Sequence, residues 1–282
     1  DTIAIFWSNI FTSLYIKQVF SDFMGKLNTD TKQALKMIKE MHLLTSGIKV
    51  FSSWNAVKLS RDQPLKFGLG NLLLTGFPTA YADLVPTVTY EGDNIVLLQQ
   101  IMQIVLVYFN QLRNGKEVQG VAEFLNKYKK YVSDDLEFNE KISINTPEDY
   151  VSSGINILEN LCFKYITLCV KKLQKTIMED GVPMKVAVSE HLQVPLVILG
   201  MTFYQVVVCK MVSTIFNNKE TKEILIPEDF ESLSCLIRLN ELNIIKSLSG
   251  LILENGILEY RDDLIELLDQ ARENMYRPLL PR

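Results

Sequence analysis

The arrangement of side chains best suited to chemistry in this 282-residue chain is an acidic turn, Tyr90-Glu91-Gly92-Asp93-Asn94, ahead of an apolar helical pattern. A carboxylate held in a turn can act as a general base on a bound substrate. It can also accept hydrogen bonds from the free amides at the start of a helix, and the residue types alone favour this capping role. The surrounding residues are needed to decide between the two.

The cysteines predict thiols rather than a disulfide framework. All lie in apolar helical contexts without regular spacing, which fits a reducing compartment: Cys162, Cys169, Cys209 and Cys235. On one helix, Cys162 and Cys169 would share a face about 10 Å apart along the axis. We therefore expect them to be too distant to bridge.

The histidines offer little support for a metal site. The chain has only His42 and His191, and it lacks Cys-x-x-Cys and His-x-x-x-His spacings, so no zinc site is predicted. His42 is expected to be packed or half-exposed, and His191 to form a surface pair with Glu190. Trp54 and the other aromatic residues are expected in the core or in a dimer contact.

The composition is typical of a packed soluble protein. Hydrophobic residues make up 48% and charged residues 22%, and 29 basic against 33 acidic residues give a net charge of −4. No long run of one sign is present, so nucleic acid is not expected as a partner.

No membrane span or targeting signal is predicted. The longest apolar run, residues 194–209, is interrupted by polar residues and by Pro195, and is shorter than the roughly 20 residues a bilayer requires. No signal peptide is visible and the chain starts at Asp1, so we expect a piece of a longer protein or a processed chain.

Two amphipathic helices are predicted at the start of the chain. The first should end near Gly25, and its apolar residues predict one broad buried face: Ile3, Phe6, Ile10, Leu14, Ile16, Phe20, Phe23 and Leu27. The second should begin after Asn28-Thr29-Asp30, whose short polar side chains can cap it. Its predicted buried side comprises Ala34, Ile38, Met41, Ile48 and Phe51. The pair is expected to form an antiparallel hairpin.

Between Leu59 and Thr89 the periodicity fails, and prolines and glycines accumulate. This pattern predicts a long ordered loop with one short helix, and such loops are usually functional. Asp93 or Asn94 should cap the following helix, which is expected to end near Asn114-Gly115. That helix is expected to bury an apolar side: Ile95, Leu98, Ile101, Met102, Val105 and Phe109.

The second half of the chain is predicted to be helical as well. A polar connection at 115–145, with one short helix at 121–128, suggests two domains, 1–130 and 131–282. Thr146-Pro147-Glu148-Asp149 is a strong helix start because it combines a capping hydroxyl, an early proline and carboxylates at the positive end of the dipole. Long helices are predicted at 147–178, 184–217, 227–253 and 257–276. The fold class predicted is all-α, with two helical bundles.

The residues around the acidic turn resemble one enzyme family, the acyl-CoA oxidases. The family pattern has a Gly-hydrophobic-Pro loop, an aromatic residue, and then Pro, Thr, an aromatic and Glu-Gly-acidic-Asn-x-Val before a Gln-bearing helix. Matching offsets are found, without a gap, at Gly76-Phe77-Pro78, Tyr81, Pro86, Thr89-Tyr90, Glu91 to Asn94, Val96 and Gln100. The resemblance assigns Glu91 the role of catalytic base.

Segments on both sides extend the resemblance to almost the whole chain. His42 to Lys49 and Ser53-Trp54 are similar to the family's His-x-Leu-Thr/Ser-x-Gly-Leu-Lys-Ala and Ser/Thr-Trp segments. Asn145-Thr146-Pro147-Glu148 is similar to its entry to the last helical domain, and Glu273-Asn274-Met275-Tyr276 to its closing Gly-Asn-Val-Tyr. The part covered is the carboxyl-terminal helical half, as in the C-terminal domains of acyl-CoA oxidases and dehydrogenases.

The resemblance implies FAD as cofactor and a fatty acyl-CoA as substrate. Glu91 would take the α-proton, a hydride would pass from the β-carbon to the flavin, and oxygen would yield hydrogen peroxide beside a trans-2-enoyl-CoA. Such a base must be held close and partly desolvated. The developing enolate needs hydrogen-bond donors, which the resemblance assigns to a flavin hydroxyl and the backbone amide of the base.

By the same resemblance, cofactor contacts are expected at Gly68, Gly70, Asp93 and Asn94. Tyr90 and Gly92 are expected to contact the substrate, with Gly92 leaving room for the acyl chain and flavin. A homodimer and a peroxisomal location are implied as well, although no Ser-Lys-Leu-like signal ends this chain. The lysines at 127–130 are expected on a solvated face, with binding of CoA phosphate as the alternative.

Two other functions stay open at this point. The family's Gly-Gly-His-Gly-Tyr turn is replaced here by Phe67-Gly68-Leu69-Gly70-Asn71. Just before it, Ser60-Arg61-Asp62-Gln63-Pro64, with its proline, replaces a helix of the family. A divergent, non-catalytic paralogue serving as a helical dimerisation or scaffold protein is therefore an alternative. A dehydrogenase that passes electrons to a flavoprotein also fits the base, but the second helical bundle argues against it.

Overall fold

In a computed structural model the chain forms helices joined by short turns. The structure describes residues 2–66, 72–133 and 149–224, together with single positions between 226 and 244. Across these residues it contains no β-strand, and the all-α prediction is confirmed. The α-helices are α1 (Thr2–Thr29), α2 (Thr31–Lys66), α3 (Phe77–Leu84), α4 (Asn94–Arg113), α5 (Lys129–Ser133), α6 (Asp149–Met178), α7 (Met184–Val186), α8 (Gln193–Phe216) and α9 (Lys219–Ile224).

Four of the segments between these helices are also helical. Three are 3-10 turns, at Leu73–Thr75, Val85–Val88 and Gly120–Tyr128, and a π turn spans Ala187–His191. The predicted helix at 257–276 and most of that at 227–253 lie outside the described residues, as does the start signal at 146–148. The division at residue 130 stays a prediction, because the described helices on both sides of it pack into one buried apolar cluster.

A single residue, Asp30, links α1 to α2 and produces the predicted antiparallel hairpin. Its carboxylate oxygen Oδ1 accepts hydrogen bonds from the amides of Lys32 and Gln33, both at 3.1 Å. These are two of the amides at a helix start that have no partner within the helix. The predicted start of the second helix is confirmed, while the first runs four residues past its predicted end at Gly25.

The predicted buried face of α1 is wrong. Five of its apolar side chains are between 40% and 60% exposed: Ile3, Phe6, Leu14, Phe20 and Leu27. The buried side consists mostly of small residues, Ala4, Ser8 and Thr12, with Phe11. Small side chains four residues apart let neighbouring helices approach closely, so the contact face of α1 differs from its most apolar face.

The predicted loop from Leu59 is partly wrong, because α2 continues to Lys66 with Pro64 inside it. A proline removes one intrahelical hydrogen bond and disturbs the preceding turn. The helix ends two residues after Pro64, at Lys66. Similarly, Pro195 in the first turn of α8 prevents one continuous helix over 184–217, and the chain makes a π turn and restarts after Leu192.

The central helix of the described part is α8, which packs against α1, α4 and α6. It approaches α4 closely at Gly200, where a Cβ atom would lie 2.6 Å from the carbonyl oxygen of Leu98. It approaches α2 at Gly47, where a Cβ atom would lie 1.9 Å from the ring of Tyr204. The Tyr204 hydroxyl donates to the carbonyl oxygen of Leu44 at 3.1 Å. These contacts hold both α2 and α4 against α8.

Two helices in the described ranges, α4 and α8, are long and apolar enough to cross a membrane by length and composition alone. The apolar window of α8 is 67% buried, as in the core helix of a packed domain, and that of α4 is 33% buried. The apolar side of α4 packs inward at Leu98, Ile101, Met102 and Val105, as predicted, but Ile95, also predicted to be buried, is exposed. Length and composition therefore do not establish a span here.

The close contact at Gly200 can be tested by adding one methyl group. We expect Gly200→Ala to lower the free energy of unfolding by about 1–3 kcal/mol, because backbone atoms of α4 would have to move. The measurement is urea unfolding of the chain, followed by helical circular dichroism.

The matched control is Gly25→Ala, in the exposed interior of α1, where an added Cβ atom meets nothing within 4 Å. This change should raise the free energy of unfolding by roughly 0.5–1 kcal/mol, because alanine favours the helix over glycine. Equal effects at the two positions would contradict the close packing of α8 on α4.

Candidate active site

The five predicted residues from Tyr90 to Asn94 form one turn between the 3-10 segment Val85–Val88 and α4. The amides of Thr89 and Tyr90 both donate to the carbonyl oxygen of Pro86, at 3.0 and 3.1 Å. These bonds fix the chain as it enters the turn. Gly68 and Gly70, the other two predicted contacts, lie outside the described residues.

Glu91 has a strained backbone. Its φ of 59° is the only positive φ of a non-glycine residue in the described ranges. The left-handed conformation costs an ordinary residue roughly 1–2 kcal/mol, and such strain persists only where the surrounding structure imposes it. The next residue, Gly92, has φ 108°, and a Cβ atom there would lie 3.2 Å from Cδ2 of Leu97. This turn therefore requires glycine at position 92.

Both hydrogen-bonding groups of Glu91 are available. Its side chain is exposed and makes no hydrogen bond or ion pair with any residue that the structure describes. Its backbone amide donates to no carbonyl oxygen in the same part of the chain. Glu91 can therefore present a proton acceptor, its carboxylate, and a hydrogen-bond donor, its backbone amide, to the same bound molecule.

Asp93 caps α4, as the sequence predicted. Its Oδ1 atom accepts hydrogen bonds from the amide of Ile95 at 2.9 Å and from that of Val96 at 3.3 Å, with the backbone of Asp93 extended. The carboxylate also lies at the positive end of the helix dipole, which stabilises its charge. The capping role that residue types alone favoured for the turn thus belongs to Asp93, and the carboxylate of Glu91 is left free.

Asn94 is the buried polar residue of the site, with 1% exposure. Its amide nitrogen donates to Oγ of Ser53 at 2.9 Å, and its oxygen accepts from the ammonium of Lys49 at 2.7 Å. A buried amide requires such partners, because leaving it without them costs about 1–3 kcal/mol. The side chain of Asn94 therefore joins the first residue of α4 to the side of α2.

Lys49 contacts the turn at three points. Its ammonium donates to the carbonyl oxygen of Val88 at 3.3 Å, to that of Gly92 at 2.5 Å, and to Oδ1 of Asn94. Ser53, one turn further along α2, is buried beside it and also donates to the carbonyl oxygen of Lys49 at 2.7 Å. One face of α2 thus carries the polar groups that hold the turn.

Lys49 and Ser53 belong to segments that resemble the family, but no role was predicted for them. They are polar and four residues apart on α2, which places both on one face of the helix. His42 was expected to be packed or half-exposed; it is exposed, and its Nε2 lies 2.9 Å from Oε1 of Gln100 on α4. This contact, two turns from Lys49, adds a second polar link between α2 and α4.

Apolar side chains on both sides of Glu91 in the chain are exposed. Those between 37% and 98% exposed are Leu72, Leu73, Leu74, Phe77, Val85, Tyr90, Ile95 and Val96. An exposed apolar surface of this kind beside polar groups is typical of a binding region. The base candidate thus lies among apolar groups that the described residues do not cover.

The other ionisable groups are poor candidates for catalysis. The thiols of Cys162, Cys169 and Cys209 are buried and free, and Cys235 lies outside the described residues. Burial raises the pKa of Cys169 to about 12 and also raises the pKa of Cys162 and that of Cys209, so all three stay protonated. No group of three or more His, Cys, Asp or Glu side chains in the described ranges is placed to hold a metal ion.

Part of the lysine cluster at 127–130 is engaged within the protein. The ammonium of Lys127 lies 3.9 Å from the buried carboxylate of Glu159, which also accepts a hydrogen bond of 2.6 Å from Lys210. The ammonium of Lys130 lies over the ring of Tyr131. Lys127 therefore links the 3-10 segment Gly120–Tyr128 to α6, and Lys210 links α8 to the same carboxylate.

Comparison with known proteins finds similarity to one family. Residues 1–106, which include the whole turn with Lys49 and Ser53, match the acyl-CoA oxidase C-alpha1 domain. The peroxisomal acyl-coenzyme A oxidase 1 of Phascolarctos cinereus is 30% identical over 118 residues, which is 41% of this chain and 17% of that protein. The chain thus spans about a sixth of the length of this relative.

Solved structures extend the likeness in fold over nearly the whole chain. Acyl-CoA oxidase 3 of Yarrowia lipolytica has a TM-score of 0.72 at 21% identity, covering 97% of this chain and 39% of that one. Acyl-CoA oxidase-1 of Caenorhabditis elegans, complexed with FAD and ATP, has a TM-score of 0.70 at 17% identity, covering 99% and 41%. Residues 1–106 therefore resemble an acyl-CoA oxidase C-alpha1 domain, and the chain is similar to the acyl-CoA oxidases, with the fold of their carboxyl-terminal helical part.

Proposed function

We propose that this chain is the carboxyl-terminal helical part of a FAD-dependent acyl-CoA oxidase, in which Glu91 is the catalytic base. The observation that supports it most strongly is the strained turn within the C-alpha1 match, which presents a free carboxylate and a free amide on one residue. Strain of this kind is retained where function requires it.

The reaction proposed begins with a fatty acyl-CoA bound against the turn. The carboxylate of Glu91 takes a proton from the α-carbon, and the electron pair of that C–H bond forms the α,β double bond as a hydride leaves the β-carbon. The product is a trans-2-enoyl-CoA. The backbone amide of Glu91 donates to the thioester oxygen, where negative charge develops.

The turn fits a flat aromatic cofactor and an acyl chain. Gly92 is exposed and has no side chain, and exposed apolar groups precede and follow it. Bound FAD would accept the hydride and pass two electrons to oxygen, giving hydrogen peroxide. Gly68, Gly70 and Asp93 are the residues proposed to hold it, and Asn94, whose side chain is buried, would support the site from below.

The substrate contacts proposed are Tyr90 and Gly92. Tyr90 is 54% exposed, so its ring is free to pack against an acyl chain or pantetheine group. An α-proton next to a thioester is weakly acidic, and its base has to be shielded from water. Because Glu91 is exposed here, the working site requires a covering part of the complete protein.

We further propose a homodimer in the peroxisome. Apolar side chains of α1 that are exposed by 40% to 60% leave a surface suited to burial against a second copy. The location follows the name of the relatives, which are peroxisomal oxidases. Neither proposal requires a nucleic acid, a metal or a membrane span.

The base is tested with the complete protein carrying Glu91→Gln. We expect flavin absorbance as in wild type, and a loss of about 10²–10⁴-fold in peroxide release with palmitoyl-CoA, because the amide cannot take the proton. The control is Asp83→Asn, which neutralises another exposed carboxylate on the nearby helix α3 and should leave the rate unchanged.

Three other outcomes would contradict part of this proposal. Full activity in Glu91→Gln would remove Glu91 as the base. Anaerobic flavin reduction by palmitoyl-CoA without peroxide in air would indicate a dehydrogenase that uses another electron acceptor. A colourless complete protein without peroxide would favour the helical scaffold.

The strain at Glu91 gives a second prediction. Glu91→Gly should raise the free energy of unfolding by about 0.5–1 kcal/mol, because glycine accepts a positive φ, although its greater freedom when unfolded offsets part of the gain. The same variant should be inactive. Urea unfolding of the chain measures the effect, with Glu91→Gln as the control that keeps the strain, and a destabilised Glu91→Gly would contradict it.

A further inference from the structure

The ammonium of Lys49 has no ordinary ion-pair role in the described part of the chain. Its three hydrogen-bond partners among the described residues are neutral oxygens: the carbonyl oxygens of Val88 and Gly92 and the amide oxygen of Asn94. A lysine ammonium carries three N–H donors, so these acceptors use all of them. The ammonium of Lys49 therefore binds oxygen atoms of the turn and of Asn94 instead of a carboxylate.

The three acceptors surround Glu91 along the chain. Val88 lies three residues before it, and Gly92 and Asn94 lie one and three residues after it. Bonds from one nitrogen atom to both sides of a turn draw its two ends together. Glu91 lies between these acceptors and has the left-handed backbone, which is therefore the conformation that this contact maintains.

The lysine itself is held in place. It projects from the long helix α2. Two hydrogen bonds fix this helix: Leu44 accepts from Tyr204 of α8, and Ser53 accepts from Asn94 of α4. Hydrogen bonds from a charged donor are stronger than those between neutral groups. A site built on a helix is also held more precisely than one built on a loop.

We infer that Lys49 is a positioning residue for the proposed base: its ammonium binds both ends of the turn and sets the direction of the Glu91 carboxylate and amide. This inference rests on the proposed function, in which Glu91 takes the α-proton. Lys49 contacts neither substrate nor reacting atoms in it, and acts through Glu91 alone.

Lysine and arginine are not equivalent at this position. The three acceptors converge on one nitrogen atom, whereas the donors of arginine are spread over a planar fork. Lys49→Arg should therefore keep the positive charge but hold the turn less well than lysine. Lys49→Met keeps the length of the side chain and removes all three donors.

The test uses the complete flavoprotein and separates the two halves of the reaction. In Lys49→Met, flavin reduction by palmitoyl-CoA without oxygen should be slower by about 10–100-fold, because a displacement of about 1 Å can cost 10²-fold. Reoxidation of the reduced flavin by oxygen should stay within about twofold of wild type, because that half of the reaction does not use Glu91. Lys49→Arg should give an intermediate rate of reduction.

The matched control is Lys58→Met, the same change at an exposed lysine of the same helix. It should alter neither half of the reaction. Equal rates of reduction in Lys49→Met and Lys58→Met, with Glu91→Gln inactive, would overturn the positioning role and leave the proposed function standing. Full activity in Glu91→Gln would overturn both.

A double variant separates positioning from general loss of structure. In the Glu91→Gln background, Lys49→Met should slow flavin reduction by less than about twofold, because residues that act as a unit are not additive. A further tenfold loss there would mean that Lys49 acts by another route, and would overturn the inference. Where Lys49→Met does not fold, Lys49→Arg decides, since wild-type reduction by it would also overturn the inference.

Discussion

The hydrogen-bonded side chain of Asn94 is the contact on which the rest of the site depends. It is buried at the start of α4 and is bonded to Ser53 and Lys49 of α2. A buried amide that lost these partners would lower the stability of the fold by more than a hydrogen bond contributes. The Asn94 side chain therefore favours the one alignment of α2 and α4 in which its partners are present. That alignment sets the direction of the turn before Asn94.

Helix α8 supports this arrangement from the opposite side. Its backbone meets α4 at Gly200, and Tyr204 meets α2 at Gly47, so neither helix can move far without a clash or a void. The strained residue is consequently placed by the packing of three helices, although it lies in a short exposed turn. This is how a small number of buried contacts can maintain an unfavourable backbone conformation at the surface.

The helix starts of this chain could be predicted from its sequence, whereas the contact face of α1 and the strain at Glu91 could not. The helix starts at Asp30 and Asp93 depend on side chains within three residues, so short polar residues indicate them. The buried face of α1 depends on which neighbours it meets, and small residues outweighed its more apolar side. Glu91 itself was identified through its resemblance to a family, whereas its strained backbone follows from contacts with residues more than 40 positions away.

The buried thiols have a consequence for an enzyme that would make its own oxidant. Hydrogen peroxide attacks thiolates, and its attack on a protonated, inaccessible thiol is slow. Cys162, Cys169 and Cys209 are enclosed in the core, and burial raises the pKa of each thiol, so they stay protonated. The same apolar packing that stabilises the helices would therefore protect these three sulfurs from self-inflicted oxidation during turnover.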